Sequence, residues 1–285
     1  MRVYAMTGYG MILLHLAISG LLAPSAIGPW NGVAIGAGYL FCVWACTGLY
    51  LSTVLHLGIA HRALVFKPWF ITALTLINSL FAIYVNPIDW VNSHRNHHTF
   101  SDRDGDPNKL PDDGFWRTLY RSFSSYPCRI DHAKDPLVDI WAFRTASNRS
   151  FAAICQVTSF ALACVLMPNR VYALALWISV RVLGLWATMT LNYWSHDRRF
   201  GIRHYPSDQG NAVNIVDPLV ITVTFSGCWQ NNHHHYPNLA RMTHDDSQYD
   251  FGLYIVRALK RLGLVHPSPS GAHLPRDLPL AELGL

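Results

Sequence analysis

Residues 34–61 read AIGAGYLFCVWACTGLYLSTVLHLGIAH: twenty-two uncharged residues, then two histidines five apart, His56 and His61. A run of about 20 apolar residues is what a helix needs to cross the hydrocarbon of a bilayer. This stretch therefore predicts a membrane span with imidazoles at its exit. Three more segments have the same character, at about 9–28, 151–168 and 171–193. The first two spans are joined through Gly28-Pro29-Trp30-Asn31-Gly32 and the last two through Met167-Pro168-Asn169-Arg170, both short turns. A fifth apolar segment, 69–86, is interrupted by Asn78 and Ser79 and ends at Asn86-Pro87. The expected fold is an all-α integral membrane protein. Four transmembrane helices form two hairpins, a fifth segment dips into the membrane, and a cytosolic helical cap holds a metal site.

The composition agrees. Of 285 residues, 51% are hydrophobic and only 14% charged, where a soluble domain carries about 25%. The net charge of +5 is spread along the polar segments, so it forms no nucleic-acid patch. With four crossings, the N-terminus, 56–150 and 194–265 share one side. Nearly every Lys and Arg falls there; Arg170 alone lies in an opposite loop and Arg181 inside a span. Positive residues mark the cytoplasmic side, so both termini are expected to be cytoplasmic. The apolar run near the N-terminus is longer than a signal peptide's and is read as a retained helix. Residues 1–265 form one expected domain; 266–285, with four prolines, form a loosely ordered tail. Six cysteines show no CxxC pair and no disulfide-framework spacing, and are read as reduced and structural.

Histidines recur at the same expected face. His94, His97 and His98 stand at i, i+3 and i+4, on one side of a helix. Gln230, His233 and His234 repeat that spacing, and Asn192 and His196 stand four apart at the end of the fourth span. His56 and His61, about 140° apart on an α-helix, predict a bend where the second span leaves the membrane. One such pair is commonplace in a chain with 15 histidines; the whole set on one predicted side implies a shared metal site. Imidazole suits Zn, Cu, Fe and Ni. A structural zinc site closes with four ligands, so eight candidate histidines imply two metals. Two redox metals beside a membrane suit oxygen chemistry on a lipid chain, and iron is the expected metal.

With these stretches in view, the chain resembles the membrane fatty acid desaturases of the acyl-CoA desaturase type. The resemblance rests on His56-Leu-Gly-Ile-Ala-His61-Arg62, Ser93-His94-Arg95-Asn96-His97-His98, Ser101-Asp102-x-Asp104-Gly105-Asp106-Pro107, Asp113-Gly114-Phe115-Trp116, Asn192-x3-His196, and Trp229-Gln230-Asn231-Asn232-His233-His234-His235-Tyr236-Pro237, in order over about 47–262. It implies a di-iron centre and a bent tunnel for an acyl chain. His56, His61, His94, His97, His98, His196, His233 and His234 would be iron ligands, with Asn192 reaching iron through a water. The implied reaction removes two hydrogens from neighbouring methylenes with O2 and two electrons. Its substrate would be an acyl-CoA, an acyl carrier or a membrane lipid. Its electron donor would be a separate ferredoxin, rubredoxin or small haem cytochrome.

The chain departs from the pattern at the third box, which begins with Gln230 instead of His; Ser226-Gly227-Cys228 stands where Gly-Glu is common. The Gln230 amide oxygen is a candidate ligand. The alternatives are a hydroxylase or other oxygenase on the same scaffold and a metal-poor, non-catalytic relative. Asp89, Asp102, Asp104, Asp106 and Asp197 flank the ligands and are candidate partners for the second imidazole nitrogen. His235 is read as a non-ligand, and His15, His132, His204, His244, His266 and His273 as ordinary. Arg62, Arg95 and Arg144 could meet a phosphate or the membrane surface. Trp44, three helical turns before His56, is a candidate for closing the far end of the tunnel.

Overall fold

The computed structural model describes residues 3–108, 114–121, 128–206, 208, 210–245 and 247–267. Asp113, His273 and the tail beyond Pro267 lie outside them. Four helices are long and apolar enough to cross a membrane: Val3–Leu21, Gly28–Ala60, Arg149–Leu166 and Arg170–His196. Their outer faces carry exposed side chains such as Leu13, Leu14, Ile154, Val157 and Val165, which lipid can cover as no aqueous solvent would.

Helix α1 (Val3–Leu21) packs along α2 (Gly28–Gly48) and against α8 (Arg170–Asn192). The first two helices begin earlier than the sequence suggested. The reversal lies at 22–27, around Pro24, and Gly28–Gly32 are already helical. Gly28, at φ 73°, makes the entry that a Cβ would oppose, and Pro29 sits in the first turn, where its missing N–H costs nothing. His15 ties these helices together: its Nδ1 meets Ser179 Oγ at 2.7 Å and its Nε2 meets the Gly36 carbonyl at 3.0 Å.

The expected bend at His56 is absent. Helix α2 runs on through Leu49–Ala60 with i→i+5 hydrogen bonds, a π-helix. After it, β1 (Leu64–Phe66) pairs antiparallel with β2 (Val265–Pro267), so the tail expected to loosen at His266 is held two residues further. Helix α3 (Pro68–Phe81) has 14 residues, about 21 Å at 1.5 Å per residue, too short for a hydrocarbon core of about 30 Å.

Helix α3 stops beside the long helices, and its broken end is paired by polar groups. The Thr47 hydroxyl accepts from Ile83 N–H, Asn78 donates to the Ile83 carbonyl, Ser159 to that of Phe81 and Arg181 to that of Ala82. Arg181 also contacts Gln156 and Ser159 and lies 3.5 Å from the Trp177 ring centroid. Irregular backbone at membrane depth persists only when protein satisfies it in this way.

The remaining elements are α4 (Pro87–Phe100), α5 (Gly114–Arg121), α6 (Trp141–Ser147), α7 (Arg149–Leu166), α9 (Pro218–Val223), α10 (Gln230–His235) and α11 (Phe251–Arg261). The larger of two hydrophobic clusters among the described residues runs from Tyr50, Val54 and Leu55 through Val91, Phe143 and Trp186 to Ile215, Trp229 and Val256. It joins the end of α2 to the polar segments.

Candidate metal centre

Four stretches of backbone deliver the histidines. In the π-helix the His61 N–H donates to the His56 carbonyl at 3.0 Å. An i→i+5 ladder brings residues five apart nearly above one another, and the two rings sit 4.8 Å apart. Helix α4 starts at Pro87 behind an Asn86 cap that accepts from Asp89 N–H, and presents His94, His97 and His98 on one face. Arg95, on the same helix, fastens it to the π-helix end. Its guanidinium donates to the carbonyls of Ile59 (2.6 Å) and Ala60 (3.1 Å) and to Asp135 (2.6 Å). These are helix-terminal carbonyls that lack an intrahelical partner.

His196 lies in the 3-10 turn that ends α8. His233 and His234 ride on α10, whose six residues are too few to hold themselves helical. Buried carboxamides hold it instead. Asn214 accepts from Asn232 N–H at 3.1 Å and donates to the Asn232 side-chain oxygen at 2.7 Å; Asn231 exchanges hydrogen bonds with the Tyr205 backbone.

The eight imidazoles meet in two groups. His56, His61, His94, His98 and His233 form one; His97, His196 and His234 form the other. Within each, one nitrogen per ring lies within 4.8 Å of all the others. In the first, Nε2 atoms face one another at 2.9 Å (His56–His233), 2.8 Å (His61–His94) and 3.1 Å (His233–His98). In-plane, a ring nitrogen offers either one N–H or one lone pair, so His233 Nε2 cannot bond both neighbours. A cation among the nitrogens satisfies them all: two nitrogens at right angles on metal bonds of about 2.1 Å are about 3.0 Å apart. The residues therefore fit a metal centre.

The second group has its other nitrogens fixed by the loop after α4. His97 Nδ1 meets Asp106 at 2.8 Å, His196 Nδ1 meets Asp102 at 3.2 Å, and His234 Nδ1 lies 3.3 Å from Ser101 Oγ. A ligating imidazole is commonly oriented by a carboxylate on its second nitrogen. Asp102 adopts φ 58° and Gly105 φ 99°; these left-handed turns fold the loop back under the rings. Of the five candidate acids, Asp102 and Asp106 have this place. Asp89 accepts from the side-chain amide of the Asn86 cap, Asp104 pairs with Arg129 on the surface, and Asp197 binds Arg199. Among the described residues no such partner meets the buried His233 Nδ1.

Burial holds His61, His94, His98, His233 and His234 well below the ordinary imidazole value, and neighbouring imidazoles push the same way. They are neutral near pH 7, the form that binds metal. Burial also opposes charge on His97, but the Asp106 carboxylate outweighs it and raises this imidazole. Burial raises Asp102 while His196 lowers it, leaving a carboxyl at about 2.

Gln230 is buried, one turn before His234, and its Nε2 donates to the Gly227 carbonyl at 2.7 Å. Asn192 ends α8, half-buried, four residues before His196. His235 points away from both groups, paired with Asp208 and stacked on Tyr205. Arg62 and Arg95 share Asp135, and Arg144 pairs with Asp139, so each guanidinium has a carboxylate. All six cysteines are free. The roles of Arg95, Asn214, Asn231 and Asn232 were not read from sequence; the Asn-Asn pair beside His233 was the available signal.

Residues 30–245 match the family model described as fatty acid desaturase. Among similar proteins is the chloroplastic palmitoyl-monogalactosyldiacylglycerol delta-7 desaturase of Arabidopsis thaliana, 27% identical over 255 residues. The match covers 89% of this chain and 66% of that protein, just under two thirds of its length. Delta-9 acyl-lipid desaturase 2 of Arabidopsis thaliana is 28% identical over 249 residues, 86% of this chain and 76% of its own. The sn-1 stearoyl-lipid 9-desaturase of Anabaena variabilis is 27% identical over 261 residues, 88% of each.

Proposed function

Because the chain belongs to the fatty acid desaturase family, we propose that it is an oxygen-dependent membrane desaturase. It introduces a double bond into a lipid- or thioester-linked acyl chain. The observation that carries this reading is the convergence of eight imidazoles in two groups beside the ends of apolar helices. Two irons, when bound, would supply the O2-dependent removal of two hydrogens from neighbouring methylenes. His56, His61, His94, His98 and His233 would hold one. His97, His196 and His234 would hold the other, with Gln230 and Asn192 beside them.

The protein's own part is placement. Asp102 and Asp106 keep the Nδ1 protons of His196 and His97 and so leave each Nε2 to the metal. Arg95 locks α4 against the π-helix, so ligands from two elements keep one geometry. The apolar helices bring a lipid chain to the centre without drawing its methylenes through water. Residues 1–265 act as one domain. The Lys and Arg distribution supports a cytoplasmic centre, reached there by a separate electron-carrying protein.

The test is expression in a tolerant host, with total fatty acids profiled by gas chromatography–mass spectrometry and double bonds mapped. A new double bond that disappears in the His97→Ala/His98→Ala variant is the expected result. A hydroxylated chain in its place would overturn desaturation in favour of an oxygenase.

A further inference from the structure

We propose that the two halves of the centre hold metal unequally, with Gln230 as the weak donor that makes the three-histidine half labile. This rests on the metal reading above and concerns what is peculiar to this chain. The first group has five imidazoles from three elements, enough to fill five positions around one ion. The second has three. Its nearest additional side chains in sequence are carboxamides: Gln230, four residues before His234, and Asn192, four before His196.

Gln230 is only 7% exposed and lies one helical turn from both His233 and His234; the group that holds His233 already has five imidazoles, so the three-histidine group is the one it can complete. Its amide nitrogen is committed to the Gly227 carbonyl, which leaves the oxygen as the ligating atom. A carbonyl oxygen suits hard ions such as Mg, Ca and Mn, whereas imidazole suits iron. The second ion therefore has fewer donors, and its added donor is the poorer kind. The Asp102 and Asp106 carboxylates strengthen His196 and His97 and offset part of that loss. Their near oxygens are engaged by the imidazoles and by the backbone N–H groups of Asn211 and Asp102, so both carboxylates are turned to the Nδ1 side of these rings.

The experiment follows iron release from the purified full-length protein in detergent, loaded anaerobically, with a colorimetric ferrous chelator and total iron counted per chain. Two irons are expected, one leaving at least about tenfold faster, in line with the 10–100-fold effects of altered metal surroundings. Gln230→His slows the fast phase towards the slow one. Gln230→Leu speeds it or empties that position, and Gln230→Glu restores retention. In every variant the slow iron reports an intact fold. Wild-type protein that keeps a single iron, with a second appearing only in Gln230→His, supports the same conclusion. Equal release of both irons from the wild type, or a fast phase indifferent to Gln230→His, overturns the inference. A chain that holds no iron at either group overturns the metal reading itself.

Discussion

Asp102 and Asp106 each face one imidazole of the three-histidine group and neither touches the other five. Their effect should be correspondingly local. Asp102→Asn or Asp106→Asn is expected to weaken retention of one iron by about 10–100-fold and leave the second unchanged, counted by metal analysis after chelator challenge. Loss of both irons together would show a general structural role instead. The neutral imidazoles set a pH limit. Their values lie below the unfolded 6.5, so the unfolded chain takes up protons first as pH falls. Their contribution is complete above about pH 7 and is lost progressively below about 6.5. Thermal stability should fall across that window, and an unchanged thermal midpoint at pH 5 would refute it. The histidines were legible at this scale because three spacings fall on helix faces. The carboxylates were not: five flanked the boxes with equal claims. The left-handed turns at Asp102 and Gly105 decided which two turn inward.

Among the elements, α2 shows where periodicity misleads. Counted at 3.6 residues per turn, His56 and His61 diverge and call for a bend; wide turns bring them together without one. Nothing in Leu49–Ala60 announces i→i+5 bonding, since most of its residues, Gly58 apart, are ordinary helix and strand formers. Packing is tight just before that stretch. A Cβ on Gly48 would stand 2.0 Å from the Phe225 ring, and Phe225 is itself left-handed at φ 52° with little freedom to retreat. Gly48→Ala should destabilise the protein by about 1–3 kcal/mol, read as a lower thermal midpoint in detergent. One turn earlier, Trp44 donates to the Val223 carbonyl at 3.0 Å and contacts the Phe225 and Phe251 rings. If it closes the acyl tunnel, Trp44→Ala shifts product towards longer chains; an unchanged chain-length profile would remove it from that role.

For the molecule as a whole, four apolar helices were readable because length and composition alone settle them. The pairing of β1 with β2 was not, since three residues a side leave no pattern in the sequence. The break after α3 was visible only as Asn78, Ser79 and Asn86-Pro87; its closure depends on residues from three other helices. Thr47→Val keeps the shape of the side chain but removes the acceptor for the Ile83 N–H. It should cost about 1–3 kcal/mol, with iron content preserved, and an unchanged thermal midpoint would show that the contact is dispensable.

The π-helix has one more consequence, for how this gene can change. Every residue in a regular helix turns the chain by about 100°, so the register of His61 against His56 is counted in whole codons. Losing a single codon among residues 57–60 would spare every histidine and most of the apolar surface. It would also return the pair to an i, i+4 relation that ordinary helix geometry can satisfy. The spacing between these ligands is thus adjustable in steps of one triplet, with the wide turns absorbing the extra residue.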